Sequence, residues 1–148
     1  MIGWRIGYLA GDKNLVANIG KLQGQSTSCP SSIAQVAAVE ALIGDQSEVA
    51  IMRNVFKKRR DYIVNRLNKM NGVHCDNPGG AFYVFPDFSS YMGDDRNIQS
   101  SNDLSMYLLE QKAVVTVAGK AFGSDGNVRF SYAASDEDLA RAMDLVDE

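Results

Sequence analysis

From Met1, the apolar positions of this chain first alternate, then recur at helical spacing, then alternate again. In "MIGWRIGYLAG" an extended backbone puts Ile2, Trp4, Ile6, Tyr8 and Ala10 on one face. The other face carries Gly3, Arg5, Gly7, Leu9 and Gly11, which predicts a strand with space cleared around a single arginine. "DKNLVANIGKLQGQSTSCP" predicts a weak helix giving way to a polar loop that ends at Pro30. "SSIAQVAAVEALIG" has serines at its start, Gly44 at its end and apolar residues almost all round, so it predicts a buried helix covered on both sides.

"DQSEVAIMRNVFKKRRDYIVNRLNKMNG" predicts one long amphipathic helix, from about Asp45 to Met70, stopped by Asn71-Gly72. Val49, Met52, Phe56, Ile63, Leu67 and Met70 form its apolar stripe. Lys57, Lys58, Arg59 and Arg60 fall mostly on the other faces beside Glu48 and Asp61, the pattern of a solvated face rather than of a nucleic-acid patch.

Beyond Gly72 the pattern turns α/β. "DNPGGAFYVFPDFS" predicts a turn, a strand and a proline stop; "SSNDLSMYLLEQK" predicts a capped helix with Leu104, Tyr107 and Leu108 inward. "AVVTVAG" predicts a second strand, "GKAFGSDGN" a glycine-rich loop and "VRFSYAA" a third strand. The capping-box-like "SDED" opens a last helix that turns Leu139, Ala142, Met143 and Val146 to a core.

Composition narrows the function classes. A net charge of −3 and a pI near 5.1 give no field that attracts nucleic acid or an anionic membrane. No apolar run reaches membrane-spanning length, and no signal peptide is recognisable. Two cysteines, Cys29 and Cys75, make neither a disulfide framework nor a zinc site, and the lone His74 in "NGVHCD" reads as a solvated side chain. No metal site is expected, and the expected compartment is reducing cytoplasm.

One position carries chemistry. In "NVRFSYA", Val128, Phe130 and Tyr132 share one face of a strand while Arg129 and Ser131 share the other. A guanidinium in so apolar a strand needs an anion, because an unpaired buried charge is costly. On spacing alone, a structural ion pair and a ligand role stand level.

Five stretches then carry a resemblance: "GWRIGYLAG", "QSTSCPSSIAQ", "PGGAFYVFPDFS", "AVVTVAGKAFG" and "VRFSYAASDEDLARAM", in that order. Together they resemble the C-terminal part of a class I pyridoxal-phosphate aminotransferase of fold type I, within the bacterial-type aspartate aminotransferase group. The resemblance runs over essentially the whole chain. It implies an α/β fold in which residues 1–44 close a large cofactor-binding domain. Residues 45–148 would form a linking helix and an α+β small domain, a small sheet with flanking helices.

The resemblance also implies roles. Arg5 matches the arginine that binds the phosphate of pyridoxal 5'-phosphate, and glycines at 3 and 7 would let that phosphate approach. Arg129 matches the arginine that clamps the substrate α-carboxylate, which favours the ligand role for it. The Schiff-base lysine would lie upstream of Met1, as would the residues that contact the cofactor ring. None of the seven lysines matches it. Lys120 reads as a loop charge, and Cys29 stands where many relatives have asparagine, near the active-site mouth.

The implied activity is transamination between an aspartate-like amino acid and a 2-oxo acid, by a cytoplasmic homodimer with no nucleic-acid or membrane partner. This chain alone would lack the proton-transferring lysine and be inactive. The alternative is a non-catalytic interaction module derived from the small domain.

Overall fold

The computed structural model describes residues 1–93 and 97–148; the side chain of Ile2, assigned above to an apolar face, lies outside the description. The chain divides into two units, Met1–Val49 and Ala50–Glu148.

In the first unit the expected opening strand does not form. Ile2–Trp4 is a 3-10 turn, and residues 5–12 pair with no strand. An isolated extended segment has no ladder to satisfy its backbone, so alternation of side chains alone does not make it a strand. Arg5 sits at φ 51, in the left-handed region, which ends any strand alternation at that residue.

Helix α1 runs Lys13–Ser26 before the loop to Pro30, and Asp12 caps it by accepting from the backbone N–H groups of Asn14 and Leu15 at 2.9 and 3.1 Å. Helix α2, Ser32–Ile43, starts and stops at Ser31 and Gly44 as expected. It is not buried, however. Ala34 is covered, while Ile33 and Ile43 are 72% and 77% exposed and Val36, Val39 and Leu42 are also open. The sequence shows a helix suited to cover on both sides; this unit holds too few elements to supply it.

Helix α3, Ser47–Leu67, is the long helix. Its apolar stripe is buried only toward its C-terminal end, where Ile63 and Leu67 have no exposed surface, with Met70 just beyond; Val49 and Met52 remain exposed. The helix ends at Leu67, short of the Met70 expected; the chain then turns, Met70 donating to the carbonyl of Leu67 at 3.1 Å, and Gly72 takes φ 73. Asn68 then clamps the following loop, donating to the carbonyl of Cys75 at 2.8 Å and accepting from its N–H at 2.9 Å.

The rest of the second unit is a three-stranded antiparallel sheet backed by helices. Strand β1 is Tyr83–Val84, helix α4 is Ser101–Lys112, β2 is Val117–Ala118, β3 is Val128–Ser131 and helix α5 is Asp136–Asp147. The order is β1-β3-β2, with Tyr83 opposite Ser131, Val84 opposite Phe130 and Val117 opposite Arg129. The strand read from "AVVTVAG" is only two residues long: Ala113 caps α4 in the left-handed region, at φ 55, and only Val117 and Ala118 pair with β3.

Both helices that back the sheet begin as their sequences predict. Ser100 and Ser135 each accept from the N–H three residues on, Asp103 and Asp138, at 3.3 and 3.0 Å. Leu104 and Leu108 of α4, with Leu139 and Met143 of α5, then join Ile63, Leu67, Val84, Val128, Phe130 and Tyr132 in one core. The sheet therefore buries one face and leaves the other open.

The two thiols are both free, with Cys29 exposed and Cys75 buried. Burial also pushes the Cys75 thiol up to about 11. Iodoacetamide at pH 8 should therefore modify Cys29 in the native chain and reach Cys75 only after denaturation, read by intact mass. Equal rates at both thiols in the native chain would contradict this packing.

Candidate functional site

The open face of the sheet is set by the period of β3. Val128 and Phe130 point into the core, so Arg129 and Ser131 must point away from it. Pairing adds Tyr83 from β1 to the same face, opposite Ser131. The 3-10 turn Gly119–Phe122, between β2 and β3, brings Phe122 in from the side.

The guanidinium carbon of Arg129 lies 4.3 Å from the centre of the Tyr83 ring and 4.6 Å from that of Phe122. Phe122 in turn meets Phe85 edge-on, with ring centres 5.9 Å apart. Two rings at this range attract the cation and also strip water from it. They cannot neutralise it.

Arg59, Arg60 and Arg66 are half-buried like Arg129. Arg59 pairs with Asp136 at 2.6 Å, Arg60 with Asp61 at 2.7 Å and Arg66 with Asp144 at 2.8 Å. Among the described residues Arg129 has no carboxylate partner and donates no side-chain hydrogen bond. A guanidinium held against two aromatic rings keeps its planar donors free, and the geometry of that fork matches the two oxygens of a carboxylate.

The partnered arginines also answer the question of the basic run in α3. Lys57 bonds Asp61 at 2.8 Å, and Arg60 reaches the carbonyl of Pro78 at 3.1 Å. Three of the four basic residues are thus engaged with the protein's own groups, as a structural face would be. His74 is solvated as expected, beside Asp76 at 3.2 Å.

Arg5 is in the first unit and is exposed, with no ion pair among the described residues. A side chain added at Gly3 or Gly7 would meet nothing within 4 Å. The space around Arg5 is thus open enough, and its charge free enough, for a phosphate. Lys120 lies on the turn beside Phe122, its Nζ 4.0 Å from Asp125. Among the described residues no cluster of side chains could hold a metal ion.

The family model described as aminotransferase class I and II matches residues 1–146. The chain belongs to that family. The aspartate/prephenate aminotransferase of Cereibacter sphaeroides is 48% identical over 146 residues, which cover 96% of this chain and 36% of that aminotransferase. The crystal structure of the aspartate aminotransferase from Rhizobium meliloti superposes with a TM-score of 0.89 at 41% identity, over 99% of this chain and 38% of that one. The Thermus thermophilus aspartate aminotransferase with maleate gives 0.87 at 34% identity, over 99% and 37%. This aminotransferase chain thus spans about a third of the length of the relatives it matches. The α/β fold and the family are those the sequence motifs imply.

Sequence reasoning placed Arg129 on the face opposite Val128 and Phe130 but did not place its aromatic surroundings. Tyr83 reaches it through strand pairing and Phe122 through a loop, and neither proximity is visible in local periodicity. The one available signal was the aromatic residue set among the glycines of "GKAFG".

Carboxylates brace the elements around this site. Hydrogen bonds from Ser89 hold Asp87 below the ordinary carboxylate range, those from Ser100 and Gln99 do so for Asp103, and those from Ser101 do so for Asp125. A carboxyl that ionises more readily in the folded state stabilises that state above its unfolded pKa, near 3.8, and loses the contribution as pH falls through the folded value. The urea midpoint of the chain should therefore hold steady from pH 7 to about 5 and fall below about pH 4. A midpoint that is flat or rising down to pH 2 would contradict these bonds.

Proposed function

We propose that this chain is the segment of an aspartate-type aminotransferase that anchors the substrate carboxylate and the cofactor phosphate. The observation that carries the reading is the unpartnered guanidinium of Arg129 against Tyr83 and Phe122. An amino acid and a 2-oxo acid both present an α-carboxylate, so one fork serves both halves of a transamination. Maleate, a dicarboxylate, is the molecule named with the Thermus thermophilus relative, which supports a carboxylate-binding family site.

Pyridoxal 5'-phosphate, when bound, supplies the electron sink for the charge left at Cα as its proton departs. Arg5 fits the phosphate of that group: it is a free, exposed guanidinium next to open backbone at Gly3 and Gly7. Arg129 fixes the carboxylate, and its rings limit the water that could compete for the same donors. No lysine of this chain matches the proton-transferring one, and we assign the activity to the longer protein rather than to this segment. The enzyme is read as a homodimer, and the exposed apolar residues of α2 are ones that the rest of the cofactor-binding domain or a second copy would cover. The free thiols accord with a cytoplasmic location.

The same exposed helix would serve a non-catalytic binding module. The presence of both anion anchors favours the enzyme, because a module has no use for a half-buried, unpaired Arg129.

In the full-length aminotransferase, Arg129→Lys should cost on the order of 2–5 kcal/mol of transition-state binding, a fall of about thirtyfold or more in kcat/KM for amino-acid and 2-oxo-acid substrates. The melting temperature should barely move, since no protein carboxylate loses a partner. Unchanged kinetics with a lowered melting temperature would mean that Arg129 serves the fold instead.

A further inference from the structure

Phe122 caps Arg129 from a loop, and a loop residue holds a geometry only if the loop is itself held. The loop closes on itself through backbone bonds: Gly119 donates to Asn127 at 2.9 Å, Ser124 to Gly119 at 3.1 Å and Asn127 to Ser124 at 3.3 Å. The fit is close. A Cβ on Gly119 would lie 2.2 Å from the carbonyl oxygens of both Ser124 and Asn127. On its β1 side the loop is tied by Asn127, which donates to the carbonyl of Phe85 at 2.9 Å.

The half that carries Phe122 is tied elsewhere, to the first residue of α4. Ser101 is fully buried. Its N–H and its hydroxyl both donate to one oxygen of Asp125, at 3.0 and 2.7 Å. The same hydroxyl accepts from the backbone N–H of Lys120 at 3.0 Å, two residues before Phe122. One buried side chain thus bonds the loop at both Lys120 and Asp125. A helix needs no such bond to begin, since Ser100 already caps α4.

We infer that Ser101 and Asp125 are positioning residues for Arg129: they pin the Gly119–Phe122 turn to the start of α4 and so hold Phe122 against the guanidinium. The inference rests on the reading of Arg129 as the carboxylate anchor for its purpose, though not for its geometry. Without the pin, Phe122 leaves its station and Arg129 gains water and rotamers. The anchor is then no longer pre-formed when a carboxylate arrives.

Reaction of each arginine with phenylglyoxal, followed by peptide mass spectrometry on the unliganded full-length protein, reads this directly. Phe122→Ala should speed modification of Arg129 severalfold, and Asp125→Ala should do the same although Asp125 does not touch Arg129. Asp125→Asn, which keeps the accepting oxygen, should restore the slow rate. Arg66, paired with Asp144 in the same unit, should react alike in every variant. Ser101→Ala is the second variant and should match Asp125→Ala. An unchanged Arg129 rate in Asp125→Ala beside a raised one in Phe122→Ala overturns the pin. A rate that rises equally at Arg66 overturns it too, since the bonds would then support the fold at large. Adding maleate to the parent protein tests the underlying reading separately: failure to protect Arg129 removes the anchor role, while the unliganded rates still decide the pin.

Discussion

The alternation along β3 is the constraint on which the arrangement depends. Val128 and Phe130 are buried, and the strand period then leaves Arg129 no choice of face. A slip of one residue would put the guanidinium into the core and two apolar side chains into water. What prevents the slip is the mass of apolar contact behind the strand, from Ile63 and Leu67 in α3, Leu104 and Leu108 in α4, and Leu139 and Met143 in α5. The core thus does more than stabilise the small unit. It aims one arginine.

Electrostatics give that aim its meaning. The second unit carries several half-buried arginines, and it supplies aspartates to Arg59, Arg60 and Arg66. Arg129 receives aromatic rings instead, which lower its hydration without satisfying its donors. An ion pair there would have been simple to build and would have closed the site. The free fork, the open sheet face and membership of the aminotransferase family all support one reading, that the missing anion comes from outside the protein.

Much of this was legible in the sequence where the signal is local. Serine caps and helical spacing marked α4 and α5, and two-residue periodicity marked β3 and isolated Arg129 from its apolar neighbours. Signals that depend on a partner were not legible. The alternation in residues 1–11 resembles a strand, yet a strand exists only with a neighbour, and none is present in that unit. Helix α2 has the composition of a buried helix and stands largely uncovered for the same reason. The Tyr83 and Phe122 contacts and the Ser101–Asp125 bonds join residues far apart in sequence, so no window of local pattern contains them.

The central claim is that the charge of Arg129 is completed by a ligand carboxylate. A crystal structure of the full-length aminotransferase grown with maleate tests it most directly. The account predicts two oxygens of one carboxylate at about 3 Å from the guanidinium nitrogens of Arg129, with Tyr83 and Phe122 still against it. Maleate bound elsewhere, with Arg129 paired to a carboxylate of the protein, would contradict it.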